Sequence, residues 1–462
     1  MELQGKKALV VGLGDTGLAL ARWLTRQGAL VRVADSRATP PRAAQLRAEL
    51  PQVALDCGAF RAESFSDIDM VAVSPGVSLR EPCICAALNA GVFVCGDVEL
   101  FAQALKKLPP AKVLAITGSN GKSTVTSMAG EMCRAAGLNT VVAGNIGLPV
   151  LDALTQIESQ QKKPDVFVLE LSSFQLETTY TLEPDAAAVL NLCQDHLDRY
   201  SGMAEYARAK QRIFAGGGVQ VLNRDDKLSF SMAALGRRVY SFGLGRPLRE
   251  MEWGVLETAG EKWLAQGETR LMPVTDLPLT GLHNAANALA ALALARAIGL
   301  EYPALLRALK KFRGLPHRVQ RIADIGGVLF YDDSKGTNVG ATVAALNGMP
   351  QKVVLIAGGD GKGQDFSPLK SALAAHARAL VLIGRDGEKI AQAVFGSNIP
   401  AVRAASLKEA VELSFNLAQR GDVVLLSPAC ASFDMFRNYE HRAEVFAQAV
   451  RALQKQPHVG VN

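Results

Sequence analysis

The chain has 462 residues, too many for one typical core; its length alone sets an expectation of roughly three domains. Hydrophobic residues make up 49% and charged residues 20%, a balance that excludes a disordered chain and leaves ample core. The net charge is only +6 and the basic residues are scattered, so no nucleic-acid footprint is read.

Seven cysteines, at 57, 83, 85, 95, 133, 193 and 430, are odd in number and irregular in spacing. Cys83-x-Cys85 has no second pair at zinc spacing, so the expectation is buried free thiols in a reducing compartment. No secretory pattern precedes the first strand. The most apolar helical stretch, residues 285–300, contains Asn287 and Arg296 and reads as a core helix, not a membrane span. A cytoplasmic protein is expected.

The first block covers residues 6–101. A strand at 7–11 enters Gly12-Leu13-Gly14-Asp15-Thr16-Gly17 and a helix; a second strand at 30–34 ends on Asp35-Ser36-Arg37. This spacing is the fingerprint of a diphosphate-binding turn. NAD and UDP both present that group. The second nucleotide loop downstream favours UDP, and a purely structural turn is the remaining reading. Strands at 70–73 and 92–95 follow. Ser74-Pro75-Gly76 lies at the carboxyl end of the first of them, where open α/β sheets bind ligands, although a simple turn would look the same. Pro109-Pro110 then breaks the chain.

The second block opens with an apolar strand at 112–116, the octapeptide Thr117-Gly118-Ser119-Asn120-Gly121-Lys122-Ser123-Thr124, and a helix at 125–136. Glycines let backbone N–H groups turn toward phosphate, the helix start adds positive potential, and Lys122 adds a full charge. Ser123 or Thr124 can offer a hydroxyl to Mg²⁺. The loop is a shortened variant, because the first glycine of the usual motif would fall at Ile116. Further strands are expected at 140–143, 166–171, 187–192 and 220–223, an antiparallel flap over 253–274, helices at 283–298 and 302–312, and a hinge at 313–316.

Several polar residues sit at these strand ends. Asn145 is flanked by glycines. Glu170 ends an apolar run, where a carboxylate is costly unless paired or bound to metal. His196 follows the next strand, so a loop hydroxyl, Glu170 and His196 converge from three strands of one sheet. That favours a metal site over a buried salt bridge. Lys210, within Tyr206-Ala207-Arg208-Ala209-Lys210, reads on its own as a solvated helix lysine. His283 and Asn287 share a helix face and would suit a base or ribose, or merely cap the helix.

The third block alternates strands at 328–331, 353–357, 380–383 and 423–426 with helical patterns. His317-Arg318 follows the hinge. Asp332 to Asn338, Gly358 to Gly363 and Ser427 to Asp434 follow three strands and describe one binding face, though each could be an ordinary turn.

Taken in order, GLGDTG, SPG, TGSNGKST, GNIG, LELSSFQLE, DHLDRY, YARAK, GLHNAANALAA, GLPHRVQ, DDSKGTN, GGDGKG and SPACASFDMF resemble the Mur ligase family along essentially the whole chain. The resemblance implies three α/β domains, each with a mostly parallel sheet. These are a Rossmann-like domain at 1–101, a P-loop-type ATPase domain at 102–313 and a Rossmann-like domain at 314–462. It implies ATP and two Mg²⁺ ions, with UDP-N-acetylmuramoyl-L-alanine and D-glutamate as substrates, acting in a monomer.

By the same resemblance Asp35, Ser36, Arg37 and Ser74 hold the UDP group. Gly118, Ser119, Asn120, Gly121, Lys122, Ser123, Thr124 and Asn287 hold ATP, with His317, Arg318 and Asp333 reaching it from the third domain. Ser123, Thr124, Glu170, His196 and a carbamylated Lys210 contact metal. Lys335, Thr337, Lys362, Ser432, Phe433 and Tyr439 hold D-glutamate. Ser36 stands where members often carry Thr, Phe433 where Leu is common, and Tyr439 where Phe is common. The expected chemistry phosphorylates a carboxylate, with Asn145 and His196 orienting it and Lys335 and Arg318 holding phosphate. Lys122, Glu170 and His196 should then share one cavity. A nicotinamide oxidoreductase and an ATP-binding regulatory module are the alternatives.

Overall fold

A computed structural model describes residues 2–161, 163–279 and 281–455. The outermost residues of the first and last expected domains, Met1 and 456–462, lie outside them.

Three sheets organise the chain. The first contains β1 (Lys7–Val11), β2 (Leu30–Asp35), β3 (Ala54–Cys57), β4 (Met70–Val73) and β5 (Phe93–Cys95), in the order β3-β2-β1-β4-β5. All its pairings are parallel. Strand order reverses between β1 and β4, so the carboxyl ends of these two strands open the crevice where such sheets take ligands.

The second sheet contains β6 (Lys112–Thr117), β7 (Thr140–Gly144), β8 (Val166–Glu170), β9 (Ala186–Val189), β10 (Val219–Asn223), β11 (Val239–Phe242), β12 (Glu252–Thr258), β13 (Glu261–Gln266) and β14 (Thr269–Pro273). Their order is β14-β13-β12-β11-β10-β9-β6-β8-β7. The run from β7 to β12 is parallel; β12, β13 and β14 form the expected antiparallel flap. The central strands are buried on both faces, which is why they read as continuous apolar runs.

The third sheet contains β15 (Gln320–Ile325), β16 (Val328–Asp332), β17 (Val353–Gly358), β18 (Ala377–Ile383), β19 (Ala401–Arg403) and β20 (Val423–Leu426), ordered β15-β16-β20-β17-β18-β19. Only β15 runs antiparallel. The three motif-bearing strands, β16, β20 and β17, are direct neighbours, so their following loops meet at one edge.

One apolar cluster runs from the first domain into the central one, joining Trp23, Leu24, Val98 and Phe101 to Leu151, Leu154 and Phe167. Helix Asp97–Leu105 crosses the expected 101/102 boundary and lies within this shared core. On the other face of the central sheet, the alanine-rich helix Leu282–Ala297 packs with helix Lys122–Ala135. Small side chains allow that close approach. Among the described residues no helix is long and apolar enough to cross a membrane. All seven cysteines are free, but only Cys95, Cys133 and Cys430 are buried; Cys57 is exposed, which corrects the expectation of uniformly buried thiols.

Candidate active site

The phosphate loop owes its shape to two glycines. Gly118 has φ of 153° and Gly121 φ of 83°, and both sites are crowded. A Cβ on Gly121 would meet Asn287 Oδ1 at 2.5 Å, and one on Gly118 would meet Leu190 Cβ at 3.0 Å. Only glycine both tolerates these backbone angles and leaves that space. Lys122 begins the helix that follows. Its Nζ donates to the carbonyls of Gly118 at 2.8 Å and Ser119 at 2.9 Å. Asn191 braces the loop in both directions, accepting from the Asn120 N–H at 2.8 Å and donating to the Asn120 carbonyl at 3.0 Å.

The sheet order β9-β6-β8-β7 brings the following loops into adjacency: His196, the phosphate loop, Glu170 and Asn145. Gly144 has φ of 113°, and a Cβ there would meet the Glu170 carbonyl at 2.2 Å, so the two backbones touch. Asn145 Nδ2 donates to Glu170 Oε1 at 3.0 Å. The other oxygen, Glu170 Oε2, is buried with no hydrogen-bond partner among the described residues. A buried carboxylate oxygen without a donor is a costly arrangement that a cation would offset. No three His, Cys, Asp or Glu side chains gather as a metal cluster among the described residues, and the expected set contains only two such residues. The hydroxyls and the modified lysine would have to complete it.

Lys210 is not the solvated lysine its helix suggests. It is 1% exposed, its Nζ donating to Thr117 Oγ1 at 3.2 Å and to the Gly118 carbonyl at 3.0 Å, above the Tyr206 ring. Burial, then the nearby Lys122 charge, pushes its pKa well below the ordinary lysine value. Burial also lowers Lys122, partly offset by Glu170 and Asp195. His196 sits edge-on to Phe174, and burial pushes its pKa down to about 4, so the imidazole is neutral. A neutral ring has a lone pair to give to a metal or a proton.

Arg318 crosses from the third domain and donates from Nη2 to Ser123 Oγ at 2.9 Å. Its Nε is buried without a hydrogen-bond partner among the described residues. Beside it lies a cavity of about 730 Å³ between the central and third domains. Asn120, Gly121, Thr124, Asn287, Arg318 and Asp333 stand on its wall. Asp333 is buried, which raises its pKa to about 7 although Ser427 Oγ donates to it at 2.7 Å. Lys122, Glu170 and His196 are not on that wall. The expected single cavity is therefore two adjoining places: an open pocket, and a compact charged group whose lysine is turned onto the loop's own carbonyls.

The remaining residues divide. Ser74 Oγ donates to the Gly12 carbonyl, and Asp35 accepts from the Leu13 N–H at 2.6 Å and from the Arg37 guanidinium. Against the cost of burial, Arg37 and the Leu13 N–H hold the Asp35 carboxyl below its ordinary pKa. Asp35 thus shapes the first glycine loop, while Ser36 and Arg37 are exposed at its rim. His317 shares a 2.7 Å contact with Asp332 and has φ of 62°, one of two left-handed residues flanking Arg318. Lys335 Nζ lies over the Tyr439 ring, and burial, then Arg318, lowers its pKa. Ser432 is buried and Thr337 half-buried, whereas Phe433 is 75% exposed. Lys362 Nζ pairs with Asp195 of the central domain.

Sequence reasoning passed over Asp195 and Asn338, both buried where the domains meet. Asn338 stands directly before an apolar helical run, the signature of a helix cap, and that signal hid its second role. Arg442, wholly buried, was missed too; it donates to the carbonyls of Ser334 and Cys430 and so ties two of the third domain's strand-end loops together.

Family models match all three domains: "Mur ligase MurD-like, N-terminal domain" over residues 6–96, "Mur ligase middle domain" over 116–295 and "Mur ligase, glutamate ligase domain" over 317–430. The chain is 59% identical over 455 residues to a protein of Methylobacillus flagellatus, covering 98% of this chain and 99% of that one. It is 60% identical over 469 residues to one of Thiobacillus denitrificans, covering 99% and 98%. Both relatives carry the name UDP-N-acetylmuramoylalanine–D-glutamate ligase. Among solved structures, UDP-N-acetylmuramate-alanine ligase of Thermotoga maritima superposes with a TM-score of 0.62 at 20% identity, covering 97% of this chain and all of that one, a likeness of fold. On these matches, which span all three domains, the chain belongs to the Mur ligase family.

Proposed function

We propose that the chain is an ATP-dependent ligase that adds D-glutamate to UDP-N-acetylmuramoyl-L-alanine, a cytoplasmic step in making peptidoglycan precursors. The observation that carries this reading is the lysine-headed phosphate loop gripped at Ser123 by Arg318 of the next domain. A loop built that way holds a terminal phosphate between two domains, and the name shared by the full-length relatives supports the two substrates.

The chemistry takes two displacements. A carboxylate oxygen of the L-alanyl group attacks the γ-phosphorus, the bond to ADP breaks, and an acyl phosphate forms. The amine of D-glutamate then attacks the acyl carbon, loses a proton, and phosphate leaves with the bonding pair. The first step brings two anions together, so cations decide its rate. Lys122, Arg318 and Lys335 supply three. Mg²⁺, which neutralises phosphate oxygens when bound, would be held by Glu170, His196, a loop hydroxyl of Ser123 or Thr124 and a carbamylated Lys210. The orphaned Glu170 Oε2 fits that role, and burial, by lowering the Lys210 pKa well below its ordinary value, favours the free amine that adds to CO₂. Asn145 and His196 orient the carboxylate. Closure of the central and third domains around the cavity between them would exclude the water that hydrolyses an acyl phosphate. All these side chains come from one chain, so a monomer suffices.

The test is a panel of D- and L-amino acids with UDP-N-acetylmuramoyl-L-alanine and ATP, reading phosphate and product mass. Phosphate release only with D-glutamate is expected. Lys122→Ala should abolish it, and near-normal turnover in that variant would remove the assignment.

A further inference from the structure

The contact between the central and third domains is centred on one carboxylate. Asp195, 5% exposed, lies in the loop after β9, beside His196. One of its oxygens accepts from Lys362 Nζ, and the other accepts from Asn338 Nδ2 at 3.1 Å. Both donors belong to the third domain, one from the loop after β17 and one from the loop after β16. Asn338 is 3% exposed and its amide is fully used. Nδ2 also donates to Asn120 Oδ1 of the phosphate loop at 3.0 Å, and Oδ1 accepts from the Ala341 N–H at 2.9 Å, capping helix Val339–Asn347. The fit is tight: a Cβ on Gly340 would meet Cys193 Sγ at 2.8 Å and Asn120 Nδ2 at 3.2 Å. Burial works against the Asp195 charge, yet Lys362 and then His196 hold its carboxyl below the ordinary range.

We propose that Asp195 and Asn338 form an interdomain latch, a pair of positioning residues that holds the third domain against the phosphate loop. The residue types are those such a latch requires. A buried carboxylate must be met by donors. Only an amide can donate to Asp195 and Asn120 with one end while capping a helix with the other. The latch sets how much of the protein is closed. A ligand that needs the closed form binds with its affinity reduced by the fraction closed. ATP and the amino acid depend on both domains, because the cavity has walls from each and Lys362 comes from the third. The UDP-bearing substrate lies in the first and central domains and does not depend on closure. The inference rests on the ligase reading for where the three ligands sit; the latch itself is a domain contact, read by the distance measurement alone.

Asn338→Asp is the sharp test. It keeps size and capping oxygen, so the helix keeps its start. It replaces the donor with a second carboxylate facing Asp195, so the contact becomes repulsive. The expected result is a KM for ATP and for D-glutamate raised by about tenfold each, with the dissociation constant of UDP-N-acetylmuramoyl-L-alanine unchanged. Fluorescent labels on the central and third domains should report a longer distance. The inverted pair, Asn338→Asp with Asp195→Asn, restores one donor and one acceptor and should recover part of the closure. A longer distance with unchanged D-glutamate KM supports the latch and removes Lys362 from the acceptor site. An unchanged distance in Asn338→Asp, or an equal weakening of all three ligands, overturns the latch. If Asn338→Asp does not fold, Asp195→Asn alone carries the same distance measurement, and no opening there overturns it too.

Discussion

The two domain interfaces differ in what fills their centre. Between the first and central domains the contact has an apolar centre, where the Phe101 and Phe167 rings meet edge-on at 5.1 Å inside a cluster that ignores the domain boundary, and the ion pairs Arg22–Asp152, Arg26–Glu158 and Arg80–Glu205 lie at its rim. Glu99 there accepts from the N–H groups of Tyr180 and Thr181 and from the Thr181 hydroxyl. Between the central and third domains the contact is polar, carried by Arg318, Asn338 and Lys362, and it leaves a cavity of about 730 Å³. Packed hydrocarbon does not part cheaply; hydrogen bonds exchange with water or ligand at little net cost. The first interface is therefore a fixed platform and the second is the one that opens and closes.

The comparison breaks most visibly at the platform. Phe101→Ala should cost about 3–5 kcal/mol of stability, read as a lower melting temperature. If the interface is a platform, that loss comes in one transition shared by the first two domains. Next is the moving interface. Arg318→Lys keeps the charge but loses the fork that reaches Ser123, and should lower kcat/KM for ATP by about 1.5–3 kcal/mol in transition-state terms, with the melting temperature nearly unchanged. Smaller again is CO₂ removal: in degassed buffer turnover should fall by up to about tenfold, and bicarbonate should restore it, provided Lys210 works as a carbamate.

Asp97 gives the smallest effect and the pH signature of the platform. It is fully buried and one of its oxygens has no hydrogen-bond partner among the described residues. Burial raises its pKa from 3.8 to about 6, with Gln175 opposing. The folded state therefore binds a proton that the unfolded state has released, and the stability this group allows falls as pH rises from its unfolded value through about 6. Asp97→Asn should leave stability at acid pH unchanged and raise it at neutral pH by about 1 kcal/mol, read by melting curves across that window.

The strands buried on both faces were plain in the sequence, because an apolar run between glycine turns has few other meanings; β6, β8, β17 and β20 sit within a residue or two of their expected places. The strands missed were mostly edges. β3, β15 and β19 are largely exposed or half-buried and lack a continuous apolar run, and an edge strand needs only one partner, which leaves little trace in residue types. The site followed the same rule. Strand-end motifs such as the phosphate loop announced themselves, since glycine and lysine at that spacing serve one purpose. Lys210 did not, because its short helix mixes charged residues with alanines and its burial comes from Tyr206 and a loop 92 residues earlier. Asn338 and Asp195 depend on two domains meeting, which spacing within one chain segment does not encode.

The central claim is that a carboxylate is phosphorylated before the amide forms, and isotope transfer tests it directly. UDP-N-acetylmuramoyl-L-alanine with heavy oxygen in its alanyl carboxylate should, with ATP and D-glutamate, yield inorganic phosphate carrying one heavy oxygen. Phosphate free of label, with amide formed at the usual rate, would contradict the acyl phosphate and the cationic site built to make it.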